Sequence, residues 1–296
     1  MQIKNFKNSN DAIVGIVVTI LLIGLIVCVI SIIQTVFIPK WMEQTEAEHM
    51  DEVANQFAQM KSAIDTQAVI GSNQPTQHTS VSTISTAITL GSRELPFLMS
   101  SRAYGSLNIL SDTSYRVVIT DKNMVEYRIS SATIQYSSSN AYFLDQSYIY
   151  EAGAVVLSQY QGDIIITKPT FSAIRETTAN IWFTIIKISK VGGKDSISGY
   201  GTYPIQTEYS SNESSIINNV ATITIYTKYP NAWSLFINGA LINGGLVYGT
   251  DKDYIMDSSI NEGKVSVFFT NSIPVTLNLQ LIEIAAQIAP GWIENT

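Results

Sequence analysis

The side chains on which acid–base chemistry could be built are few. The chain carries two histidines, His49 and His78. His49 stands among acids in "EAEHMDEV" and His78 in the polar stretch "SNQPTQHTS", so both read as solvent-exposed and apart from any β core. A Ser–His–Asp triad would have to recruit one of them. No G-x-S-x-G turn, phosphate loop, dinucleotide fingerprint or H-E-x-x-H is present. Glu126, Asp145, Glu151, Asp163 and Glu176 could pair for glycoside hydrolysis, which needs only proximity in space, but no motif stands behind them. "DKDY" (251–254) and "TDKN" (120–123) cluster oxygen ligands without the spacing of a calcium loop, and both read as turns. The expectation is no catalytic residue, no cofactor and no metal: a protein that is not an enzyme.

Composition points to a different use. Charged residues make up 14% of the chain, against about 25% in ordinary domains. The net charge is -7 and the pI about 4.9. With no basic stripe, a nucleic-acid partner is excluded. The single cysteine, Cys28, lies inside an aliphatic run, so neither a disulfide framework nor a thiolate metal site exists. A charge-poor surface rich in Ser, Thr, Asn and Tyr suits an external location, and no small-molecule substrate is evident.

That aliphatic run is "AIVGIVVTILLIGLIVCVISIIQTVFI", residues 12–38, and it contains no charge. As a helix it extends roughly 40 Å, more than the ~30 Å hydrocarbon core of a bilayer requires. It exceeds the apolar core of a cleaved secretory signal, and "FIPKW" is not a cleavage site. Lys4 and Lys7 precede it, while Glu43, Glu46, Glu48, Asp51 and Glu52 follow Lys40. The positive-inside rule places residues 1–11 in the cytoplasm as a leader and the remainder outside. Gly15 and Gly24 would permit close packing against other membrane helices.

The helix should continue without a break through residues 39–70. Met50, Val53, Phe57, Met60 and Ile64 recur at spacings that make a heptad seam, with acids and amides on the other faces. Pro39 should bend this helix at the membrane boundary rather than end it, and Gly71 should stop it. The seam needs a partner. Periodicity leaves two equally open, this subunit's own C-terminal domain or the same helix of neighbouring subunits.

After a linker at 71–79 the apolar period changes to two. Short β-branched runs bounded by Gly, Asn, Asp and Ser fill residues 80–296, with one short helix starting after Pro230. The fold class expected is α+β: a long N-terminal transmembrane and amphipathic helix followed by an antiparallel β-sandwich-like ectodomain. Residues 160–170 are the place for a division into two subdomains. Tyr142, Tyr148, Tyr150 and Tyr160 read as cross-strand packing. Asn212-Glu213-Ser214 is an N-glycosylation sequon read as part of a loop.

"DAIVGIVVTILLIGLIV" running into "PKWMEQTEAEHMDEVANQFAQMKSAIDTQ" resembles the N-terminal region of archaeal type IV pilin-like surface proteins. Later stretches such as "QSYIYEAGAVVLSQYQG" and "TKYPNAWSLFING" are similar to the ectodomains of the same membrane-anchored group from methanogens. The resemblance implies a structural subunit held in membrane lipid, trimmed at a basic leader, then self-associated into an extracellular filament through its apolar helix, with a role in adhesion. The leader departs from the pattern, since "MQIKNFKNSN" has no basic residue followed by Gly or Ala. The alternative function is a single-pass anchored ectodomain that binds an external ligand or envelope polymer without polymerising.

Overall fold

The structure, a computed structural model, describes residues 9–73, 82–93, 103–192 and 194–288. The leader up to residue 8, most of the linker and His78 lie outside them. One helix runs from Ser9 to Ser72 in three segments: α1 (Ser9–Ile32), a π-turn (Ile33–Phe37) and α2 (Ile38–Ser72). From Val14 it measures 59 residues, roughly 88 Å at 1.5 Å per residue.

The π-turn accounts for Pro39. Proline lacks an N–H, and its ring would press on the carbonyl four residues back, that of Thr35. Widening the preceding turn relieves this, and the Ile38 N–H donates to the Ile33 carbonyl, five residues back. Where the sequence predicts a bend at Pro39, the helix carries a π-turn just upstream of the proline. Within the apolar run, the Thr19 and Thr35 hydroxyls donate to the carbonyls of Gly15 and Ser31 at 2.8 and 2.7 Å. Their polar atoms are satisfied inside the helix.

Gly71 does not end the helix as expected; it lies within α2. A Cβ there would come within 2.3 Å of the Tyr209 ring. Glycine is needed for close approach to the β domain rather than for chain reversal.

Among the described residues that domain contains fourteen strands: β1 (Ile84–Thr89), β2 (Tyr104–Asp121), β3 (Glu126–Ser139), β4 (Gln146–Glu151), β5 (Ala154–Gln159), β6 (Gly162–Thr167), β7 (Phe171–Arg175), β8 (Ala179–Lys190), β9 (Ser196–Gly199), β10 (Thr202–Asn218), β11 (Val220–Tyr226), β12 (Tyr254–Ser259), β13 (Lys264–Phe269) and β14 (Val275–Ile288). Helix α3 (Pro230–Asn243) starts on the proline, whose fixed φ suits a first helical turn. The main path is β1-β10-β14-β8-β3-β2-β11-β13-β12. It consists of two sheets joined by one bridge, Ala132 to Ile188. Pairing is antiparallel except between β14 and β8, which run parallel from Val275 and Ala179 onward.

Two large apolar cores result among the described residues, beside a small cluster of Ile149, Val156, Tyr229 and Ala232. The one beneath α2 contains Leu107, Ile134, Tyr136, Ile188 and Ile284. The other, around Trp233 of α3, contains Tyr115, Phe183, Ile225 and Leu277. Strands β2, β3, β8 and β14 feed both, so the cores are two ends of shared sheets. The division expected at 160–170 is therefore not between subdomains: β5 and β6 form a hairpin there, with Gln159 opposite Gly162.

Candidate functional site: the docked helix and its bare continuation

The seam faces the β domain of its own chain. Met50, Val53, Phe57, Met60 and Ile64 are buried and belong to the same cluster as Ile88, Tyr136 and Ile284. The Phe57 and Tyr148 rings lie 5.9 Å apart. The buried face extends beyond the expected seam in both directions, from Ile38 and Met42 to Ala68 and Gly71. Of the two partners open to it, the subunit's own domain is the one it has. The outward face of α2 carries Glu48, Asp51, Glu52, Asn55 and Gln59 and has no second apolar stripe.

Polar anchors that the sequence did not reveal lie on the same face. Glu46 is buried, and its carboxylate accepts the N–H groups of Ala141, Tyr142 and Phe143 in the β3–β4 turn at 3.0, 2.7 and 2.7 Å. Three successive N–H groups form a nest for an anion. Gln56 accepts from the Thr89 N–H at 2.8 Å, and Gln67 donates to the Thr207 carbonyl at 2.7 Å. Glu46→Ala is expected to cost about 2 kcal/mol, because N–H groups that bonded a charge lose their acceptor. Urea unfolding of the full chain measures it, with a loss under ~0.5 kcal/mol counting against the nest.

His49 corrects an expectation. It is 4% exposed rather than solvated. Its Nε2 lies 3.1 Å from the Tyr136 hydroxyl and 3.3 Å from the Leu90 carbonyl. It shares a helix face with Glu46 and Val53, so its acidic sequence neighbours did not indicate its surroundings. Burial lowers its pKa from 6.5, against the Leu90 carbonyl and the charges of Glu52 and Glu46. The stability it contributes is present above 6.5 and is lost as pH falls through its lowered folded value.

The other half of the helix is bare. Residues 14–32 are exposed throughout, and no atom lies within 4 Å of a Cβ built on Gly15 or Gly24. An 18-residue window here has a mean hydropathy of 3.3 and is long and apolar enough to cross a membrane. The chain thus presents an unsatisfied apolar surface of membrane-spanning length, continuous through the π-turn with a docked helix.

Groups with chemical potential elsewhere are dispersed or enclosed. Glu126 pairs with Arg128 at the surface, Asp145 accepts the Asn140 N–H at 2.7 Å, and Glu176 is exposed. Glu151 is fully buried, with Asp163 near enough for its charge to raise the Glu151 pKa. In the "DKDY" turn, Asp253 binds Arg175 at 2.7 Å; in "TDKN", Asp121 accepts the N–H groups of Asn123 and Val125. Among the described residues no three His, Cys, Asp or Glu side chains group to hold a metal. A cleft of about 430 Å³ lies between α3 and β6–β7, and its polar side chains are Lys168, Ser172 and Asn243. Tyr148 and Tyr150 are buried, whereas Tyr160 projects fully into solvent. Asn212 is in strand β10, opposite Ile282 of β14, not in a loop.

Fold and site together define a class: a β-rich domain clasped to the C-terminal half of one long N-terminal helix, whose N-terminal half is apolar and exposed. Residues 12–244 match a family described as "Family of unknown function (DUF7289)", and the chain belongs to it. No curated protein and no solved structure matches the chain.

Proposed function

We propose that this protein is a pilin-like structural subunit of an archaeal extracellular filament or surface appendage, with adhesion as its use. In this reading α1 is held in the cell membrane with the N-terminus in the cytoplasm and the β domain outside. Assembly then moves α1 from lipid into a bundle of like helices. One observation carries it: a bare apolar helix continues, through the π-turn, into a helix docked along its own domain. A flexible tether would suffice for a simple anchor, whereas packing subunits in register requires the domain to be fixed relative to the helix. Lipid and neighbouring helices satisfy the same aliphatic surface, and Gly15 and Gly24 leave room for close approach.

A second reading, an anchored ectodomain that binds an external ligand or envelope polymer without polymerising, has its own support. The seam on α2 is consumed internally, which leaves α1 alone to drive self-association. Electron microscopy of material sheared from cells, with N-terminal sequencing of this chain, separates the two. Filaments containing a chain trimmed within about the first ten residues are the expected result. An intact N-terminus and membrane-bound particles only would favour the second reading.

A further inference from the structure

The β domain has no stalk. Ile38, the last residue of the apolar run, is 4% exposed, and Met42 is fully buried. The covered face of the helix therefore starts where the membrane-grade segment ends, and the first hydrogen bonds from the helix to the β domain follow about two turns later at Glu46. We infer that the underside of the domain, its end nearest α1, rests on the headgroup layer of the bilayer that holds α1. The inference depends on the membrane-held form proposed above.

Three chain segments converge there. Glu46 binds the N–H groups of Ala141, Tyr142 and Phe143, fixing the β3–β4 turn against the helix. Leu144 follows in that turn and is 51% exposed. Tyr104 opens β2 opposite Ser139, at the mouth of the same turn. Tyr200 packs edge-on against Tyr104, with ring centroids 5.4 Å apart, in the turn that leads into β10. Both tyrosines keep about two-fifths of their surface exposed, at 41% and 43%. On the helix, Trp41 is likewise 43% exposed.

The heights agree. Glu46 lies eight residues beyond Ile38, roughly 12 Å along the helix. The interfacial layer outside the hydrocarbon is about 5–8 Å deep, and the ~10 Å by which the apolar run exceeds the ~30 Å core lets Ile38 sit at the hydrocarbon edge and the helix tilt. A turn tied to Glu46 is then within a side chain's reach of the headgroups. Residue types agree as well, since Tyr and Trp, apolar in body and polar at the tip, favour that layer. Lipid is the occupant because the helix itself sets the membrane against this end of the domain. Exposed apolar residues such as Ile216, near the far end of β10, have no such constraint: Thr202 and Ile216 are separated by roughly 45 Å of strand.

The test uses the full chain with Cys28→Ser and one new cysteine, at Leu144→Cys or Tyr200→Cys near the membrane or Ile216→Cys away from it. Each carries an environment-sensitive fluorophore, and the protein is reconstituted in phosphatidylcholine vesicles containing a headgroup-linked quencher. Quenching at 144 and 200 at least about threefold that at 216 is expected. Equal quenching at all three sites, in protein that floats with the vesicles and resists carbonate extraction, overturns the inference and leaves anchoring intact. Self-quenching at 144 that rises with protein density and is insensitive to the lipid quencher also overturns it, because a second copy then covers the surface. Protein that does not float overturns the membrane-held form and the inference with it.

Discussion

Phe57→Glu is expected to unfold the half of the β domain beneath α2, not to uncouple one subunit from another. Phe57 is fully buried among Met50, Val53, Met60 and Ile64, against Tyr148 and the strands carrying Ile134 and Ile284. Truncating such a phenylalanine to alanine costs about 3–5 kcal/mol. A glutamate adds the burden of a carboxylate in an apolar site, and the nearest cation on that face, Lys61 one turn further on, is already paired with Asp65. Against a total stability of about 5–15 kcal/mol, that is enough to populate the unfolded state. Urea unfolding followed by near-ultraviolet circular dichroism should show loss of the transition or a fall of several kcal/mol. The same reasoning applies to a fragment that begins at residue 82. Without α2 it would expose Ile88, Leu107, Ile134, Tyr136 and Ile284, and it is expected to aggregate. A soluble, cooperatively folded fragment with the full chain's midpoint would return the seam to a role between subunits.

This outcome marks what a period can convey. The spacing of Met50 through Ile64 identified a face of the helix and its extent, because apolar side chains on one stripe must be covered by something. It could not identify the cover, since a sheet of the same chain and a helix of another bury such a stripe equally well. The polar members of that face were hidden for a related reason. Glu46 and His49 resemble the solvated acids around them until the β3–β4 turn and Tyr136 supply their partners. Strand content was legible from β-branched alternation, while its punctuation was less so. "GAVVLSQYQGDIIITKP" reads as one run and folds as the β5–β6 hairpin; "GSLNIL" and "SYRVVITD" read as two and form one strand, β2, irregular between Leu110 and Tyr115. The parallel pairing of β14 with β8 joins residues almost a hundred positions apart, which no local pattern encodes. Pro39 announced an irregularity, but the neighbouring backbone relieved it.

Glu151 should make the domain lose stability as pH rises towards neutrality, and Glu151→Gln should abolish that dependence. The residue ends β4, just before the turn in which Ala152 and Gly153 adopt positive φ values of 49° and 88°. Its carboxylate accepts the Thr227 hydroxyl at 2.8 Å and the indole N–H of Trp233 in α3, so one side chain ties β4 to the segment after β11 and to the helix. Burial pushes its pKa up from 4.5 to about 7; the two hydrogen bonds act in the opposite direction, and the charge of Asp163 adds to the rise. Tyr115 and Tyr229, near enough to feel the Glu151 charge, are themselves held neutral mainly by burial. Between 4.5 and about 7 the folded state therefore binds a proton that the unfolded state has released. Stability contributed by the neutral form is complete below the unfolded value and declines as pH climbs to the folded one. At 1.36 kcal/mol per unit, the loss across that window is roughly 3 kcal/mol. His49 acts in the opposite direction over part of the range, so the informative quantity is the difference between wild type and Glu151→Gln, in which His49 cancels. Urea midpoints at half-unit steps should give a difference that falls by roughly 3 kcal/mol from pH 4.5 to 7 and is level above that. A level difference throughout would mean that water reaches this carboxylate in the folded protein, and that Thr227 and Trp233 bind an ordinary anion rather than a neutral acid.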